Sequence, residues 1–97
     1  MAVVMMMEWK GVTAEQYDAV RRETNFENDP PKGGMYHVAA VDDEGLKVVD
    51  VWNSPEEFQA FAEAKLMPVT QKLGITEQPN VKFYPAYNIF AGGYTAK

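Results

Sequence analysis

The sequence predicts an α+β domain: a four-stranded antiparallel sheet with two helices on one face. Three observations lead there. Two helix starts carry capping residues, at Thr13 and at Ser54-Pro55. A compact turn, Asp42-Asp43-Glu44-Gly45, separates two apolar runs. The other apolar runs are short, which favours strands where periodicity alone does not decide. The order reads strand, helix, strand, strand, helix, strand. With right-handed crossovers in each strand–helix–strand half, that is the ferredoxin-like βαββαβ sandwich.

Each element has its own warrant. Val3 to Trp9 is a short, largely apolar run with paired Val3-Val4, followed by Gly11, and reads as strand one. Thr13-Ala14-Glu15-Gln16 fits a capping box. Ala14, Tyr17, Val20 and Arg21 or Thr24 then fall on one stripe, predicting an amphipathic helix of about three turns that ends near Asn25. Asn25 to Gly34, with Pro30-Pro31 and Gly33-Gly34, reads as a surface loop. Gly34 to Val41 and Leu46 to Trp52 form a hairpin, with Gly45 free to take a backbone conformation other residues avoid. Ser54 caps the second helix, Pro55 takes its first position and Glu57 completes the box. Phe58, Phe61, Ala62, Leu66 and Val69 recur at helical spacing, and Pro68 should kink or restart the helix. Leu73-Gly74 ends it. Val81 to Phe90 is strand four, with Pro85 marking an edge or a bulge. Residues 1–91 form the single domain and 92–97 a tail.

Composition narrows the function. The chain has 97 residues, 46% hydrophobic, with 9 Lys+Arg against 14 Asp+Glu for a formal net charge of −5. An acidic chain with no basic cluster is a poor partner for nucleic acid or an anionic membrane. No apolar run approaches the roughly 18 residues of a membrane span, and with no secretory signal pattern and no Cys a cytoplasmic location is the default. Zero Cys excludes disulfides, thiolate nucleophiles and Cys-ligated metal. One His, His37, leaves little for a His-based metal site. The Asp42-Asp43-Glu44 trio reads as solvated turn charge, and Gly33-Gly34 and Gly92-Gly93 lack the flanks of a phosphate loop. No metal and no cofactor is expected.

The apolar pattern raises a second matter. Two helices cover one sheet face, yet strand one is apolar on both: Val3, Met5 and Met7 point one way, Val4 and Met6 the other. Strand three sets Val49 and Val51 opposite Leu46, Val48 and Trp52. A face left in water should be polar, and each buried Val or Met contributes ~1.5–3 kcal/mol. The reading that follows is a homodimer packed sheet against sheet. The alternative is that the tail from Ala91 onward covers the face, but seven residues with two Gly are too few.

The segment Asp50-Val51-Trp52-Asn53-Ser54-Pro55-Glu56-Glu57-Phe58 resembles the dimeric α/β-barrel superfamily, and within it the antibiotic biosynthesis monooxygenase-like domain, over nearly the whole chain. Glu8-Trp9-x-Gly11-Val12-Thr13-x-Glu15-Gln16-Tyr17 and His37-Val38-Ala39 are similar to a small bacterial subfamily of uncharacterised proteins. The resemblance implies a homodimer with facing sheets and a small-molecule pocket between sheet and helices. Haem-degrading members carry a ligating His on the helix after the Trp. Here that helix reads Phe58-Gln59-Ala60-Phe61-Ala62-Glu63-Ala64, which argues against haem. Cofactor-independent oxygenases of the superfamily hold a phenolic substrate with polar pocket groups and stabilise its anion.

His37 is the leading candidate for chemistry. It shares a strand face with Met35, Ala39 and Val41, and a buried imidazole needs hydrogen bonds. If the turn spans Asp42 to Gly45, counting back sets His37 opposite Asp50, with Cβ atoms about 4.5–5.5 Å apart. Asp50 would then orient a base able to take a phenolic or α-carbon proton. A bulge at Gly45 would shift the register by one and put Val51 there instead. Either the pair is catalytic, or it satisfies buried polarity or pins a dimer interface. Trp52, Phe58 and Phe61 are candidate walls of an aromatic pocket, or plain core. Tyr84 and Asn88 share a face of strand four as candidate polar contacts or rim groups. Tyr17 faces inward from helix one with a hydroxyl to place. Two function classes follow: a cofactor-independent monooxygenase-like or isomerase/cyclase-like enzyme acting on an aromatic or polyketide-like molecule with His37 as base, or a non-catalytic dimer that binds a small molecule or merely assembles.

Overall fold

A computed structural model describes residues 1–93; positions 94–97, the end of the tail, lie outside the described residues. The elements are β1 (Val3–Lys10), α1 (Ala14–Thr24), β2 (Gly34–Asp42), β3 (Gly45–Trp52), α2 (Pro55–Phe61), α3 (Met67–Lys72) and β4 (Asn80–Pro85). All pairings are antiparallel, in the order β2-β3-β1-β4. This is the α+β ferredoxin-like topology.

Local chemistry fixes both helix starts. Thr13 Oγ1 accepts from the Gln16 backbone N–H (3.1 Å), and Gln16 Oε1 accepts from the Thr13 N–H (3.0 Å), closing the box. Asn25 ends α1 in the left-handed region at φ 56°. At α2, Ser54 Oγ accepts from the Glu57 N–H and donates to the Glu57 carboxylate (3.1 Å). The predicted kink takes the form of a π-helical turn over Ala62–Leu66, in which the Met67 N–H bonds to the Ala62 carbonyl. Pro68 follows at once, and its missing N–H is why the ladder cannot continue in the ordinary register.

The hairpin has a two-residue loop, Asp43-Glu44, between Asp42 and Gly45. Gly45 sits at φ 132°, and a Cβ there would strike the Trp9 carbonyl and the Gly11 amide. The Gly11 N–H in turn bonds to Glu44 O (2.9 Å). Glycine is required because the end of β1 runs against this turn. The bulge weighed at Gly45 lies at the other end of the hairpin. Gly34 pairs with Trp52 and Tyr36 with Val51, so Met35 is the extra residue.

The core lies between sheet and helices: Met5, Met7 and Trp9 from β1, Leu46, Val48 and Trp52 from β3, Val12, and Phe58 from α2. Strand four is shorter than the sequence suggested. It ends at Pro85, opposite Val3, followed by one further bond from the Ala86 N–H to Ala2 O (3.0 Å), so Asn88 lies beyond it. The opposite face exposes Met6, Tyr36, Val38, Val49 and Tyr84, while Tyr87 and Phe90 stand out fully or nearly so. Among the described residues after β4, Tyr87 and Phe90 are therefore not buried on that face. No helix among the described residues is long and apolar enough to cross a membrane.

Candidate active site

The site grows out of the β2–β3 register. His37 pairs with Asp50, Ala39 with Val48 and Val41 with Leu46, so all six side chains point to the helix face. His37 Nδ1 lies 2.6 Å from Asp50 Oδ1. Two residues further along the same face of β3, the Trp52 indole N–H donates to Asp50 Oδ2 (2.9 Å). Asp50 is only 6% exposed, and both of its oxygens are occupied.

From α1, the Tyr17 hydroxyl reaches His37 Nε2 at 2.5 Å. Its ring lies almost parallel to the imidazole (13° between planes), while Phe26 packs edge-on against the other ring at 5.1 Å. For a neutral imidazole the network sets the tautomer: a carboxylate only accepts, so the hydrogen sits on Nδ1, which leaves Nε2 as the one acceptor, and Tyr17 donates to it. The result is a continuous chain Tyr17–His37–Asp50–Trp52 that joins α1, β2 and β3.

This chain forms one wall of a cavity of about 230 Å³. Of the residues singled out from the sequence, His37, Asp50, Trp52, Phe58, Phe61 and Tyr17 all line it. Trp52 stacks edge-on against Phe58 (5.4 Å) and tilted against Phe61 (5.9 Å), so these aromatics belong to the core and the pocket wall at once. Tyr84 and Asn88 do not line it. Tyr84 pairs with Val4 on the far side of the sheet, and Asn88 lies exposed beyond β4. As contacts in this pocket both are corrected: the period of two aims Tyr84 away from His37, and β4 stops at Pro85, short of Asn88. Sequence reading missed Phe26, Pro30, Pro31 and Met35, which also border the cavity. Phe26, an aromatic in an otherwise polar loop just past the Asn25 cap, was the available signal.

Burial pushes the Tyr17 phenol up from 10.0 to about 12; Arg21 opposes, and Glu27, Asp50 and Asp18 reinforce. The folded chain therefore keeps a proton that the unfolded chain releases. Stability from this group is complete below pH 10 and drains away as pH rises toward about 12. Tyr17→Phe is expected to flatten the alkaline fall in denaturation midpoint over that window. Superimposable alkaline slopes for variant and wild type would remove this account of Tyr17.

No protein-family model and no curated protein matches the chain. Solved structures do. The cofactor-independent oxygenase SnoaB from Streptomyces nogalater is 13% identical, with 91% of this chain and 94% of that one covered and a TM-score of 0.61. A protein from Nitrosomonas europaea assigned as an antibiotic biosynthesis monooxygenase is 14% identical, covering 88% and 89%, at 0.59. A monooxygenase from the ActVA-Orf6 gene of Streptomyces coelicolor, solved with Nanaomycin D, is 14% identical, covering 95% and 92%, at 0.53. At these identities the likeness is one of fold, and the chain has the fold of antibiotic biosynthesis monooxygenase-like proteins.

Proposed function

We propose that the protein binds a small phenolic aromatic between sheet and helices and removes its hydroxyl proton with His37 as base. The phenolate so formed is electron-rich enough to react with dioxygen without a cofactor, as in a cofactor-independent monooxygenase. The observation that carries this is the Tyr17–His37–Asp50 chain set into an otherwise apolar cavity. An imidazole oriented by a carboxylate beside an aromatic-lined space is equipped to hold a phenol and take its proton. The fold neighbours support the reaction class. An enclosed cavity of ~300 Å³ or more reached by His37 would favour the enzyme over the non-catalytic dimer; here His37 lines the cavity, but at about 230 Å³ the size falls short. Since a space of roughly 150 Å³ takes benzene, it suits one substituted ring rather than a polycyclic polyketide.

The acting unit is a homodimer in this proposal. Met6, Val38, Val49, Tyr36 and Tyr84 leave an apolar sheet face open, which a second copy would bury. Light scattering on wild type and Val49→Glu tests it: the expected result is a dimer that the charge splits, and a monomeric wild type at micromolar concentration defeats it.

The functional test is a thermal-shift screen with one-ring phenols and hydroquinones, followed by oxygen uptake on the hits. The expected outcome is stabilisation by phenols but not by the matching methyl ethers, with uptake lost in His37→Ala. Equal uptake by a folded His37→Ala protein rules out His37 as base.

A further inference from the structure

We infer that Tyr17, and not His37, is the residue that meets the substrate hydroxyl: the proton reaches His37 through the Tyr17 oxygen. This rests on the reading of His37 as base and adds the route. A neutral imidazole with its hydrogen on Nδ1 has a single lone pair, and that lone pair already receives the Tyr17 O–H at 2.5 Å. His37 has no acceptor left for a ligand. The Tyr17 oxygen does, because a hydroxyl carries two lone pairs and no group among the described residues donates to it. Tyr17 also lines the cavity.

The transfer balances without a co-reactant. The ligand O–H bond breaks as its proton bonds to the Tyr17 oxygen. The original Tyr17 proton moves to His37 Nε2. The products are a ligand phenolate, a neutral Tyr17 that now donates to that phenolate, and an imidazolium held against the Asp50 carboxylate. Tyr17 is never left as an anion, which suits a phenol that burial holds in its protonated form. Hydrogen bonds at both ring nitrogens hold the imidazole in this orientation.

The probe is 4-nitrophenol, one ring whose phenolate is coloured, added at saturation below the pH at which it ionises free in solution. Wild type is expected to raise the phenolate-to-phenol ratio of the bound probe. Tyr17→Phe, which keeps the ring, is expected to drop that ratio on the order of tenfold, one pKa step, to the level of His37→Ala. Replacing Tyr17 by a fluorotyrosine, a stronger donor toward the bound phenolate, should raise the ratio and serves if the Phe variant does not fold. Tyr17→Phe with wild-type or greater ionisation shows that the hydroxyl merely plugs His37 and overturns the relay. Wild type that leaves the probe unionised overturns it too. His37→Ala with the wild-type ratio defeats the His37 reading itself, a result separable from the failure of Tyr17 alone.

Discussion

Asp50→Asn is expected to keep the fold and lose the base. The Trp52 indole N–H can only donate, so it claims the new amide oxygen in place of Asp50 Oδ2. The amide NH₂ then faces His37 Nδ1, which lies 2.6 Å from the present carboxylate. Two donors cannot share that contact, so the imidazole hydrogen moves to Nε2. Nε2 then donates to Tyr17, and the chain ends without an acceptor for the substrate proton. The alternative amide orientation sets NH₂ against the indole N–H and leaves a buried clash costing about 1–3 kcal/mol. In the favoured orientation the expected loss in proton-abstraction rate is on the order of 10²–10⁴, the usual worth of a positioned base. The expected ¹⁵N signature is protonation moving from Nδ1 to Nε2 of His37. An unchanged tautomer with full activity would show that Asp50 only satisfies buried polarity.

The legible parts of this protein were those set by neighbours in sequence. The Thr13 and Ser54-Pro55 starts depend on contacts within three residues, and the structure has both. The His37–Asp50 pairing came from counting back from a two-residue loop, because register in a hairpin is a property of its turn. The count survives the Met35 bulge because the bulge lies beyond His37. The period of two sets Asp50 and Trp52 on one face, but the sequence marks Trp52 only as pocket wall or core and does not show its bond to Asp50. What sequence does not carry is helix-on-sheet placement. Tyr17 and His37 are 20 positions apart, and no local rule brings a helix residue over a given strand residue. The same limit hid Phe26. Strand four is shorter than its apolar run for a different reason: its partner β1 begins at Val3, opposite Pro85, and past that pair one bond follows, Ala86 N–H to Ala2 O at 3.0 Å.

Trp52→Ala is expected to cost the most stability of any single change in the site. The side chain is 4% exposed and packs on Phe58 and Phe61. Truncating a buried Trp costs about 3–5 kcal/mol, and Asp50 Oδ2 loses its donor besides. Small domains hold roughly 5–15 kcal/mol in all, and each kcal/mol moves the melting midpoint of a domain this size by about 4–8 °C. A fall of ~12 °C or more, or outright failure to fold, is therefore the expected reading. Trp52→Phe separates the two contributions. It keeps most of the packing and removes only the indole N–H, so it should fold with a loss of about 1–3 kcal/mol. Its carboxylate, freed on one side, would no longer be fixed against His37, and activity should fall while the fold stands. If Trp52→Phe instead retains full activity, the indole N–H is structural, and the orientation of Asp50 comes from His37 and the strand alone.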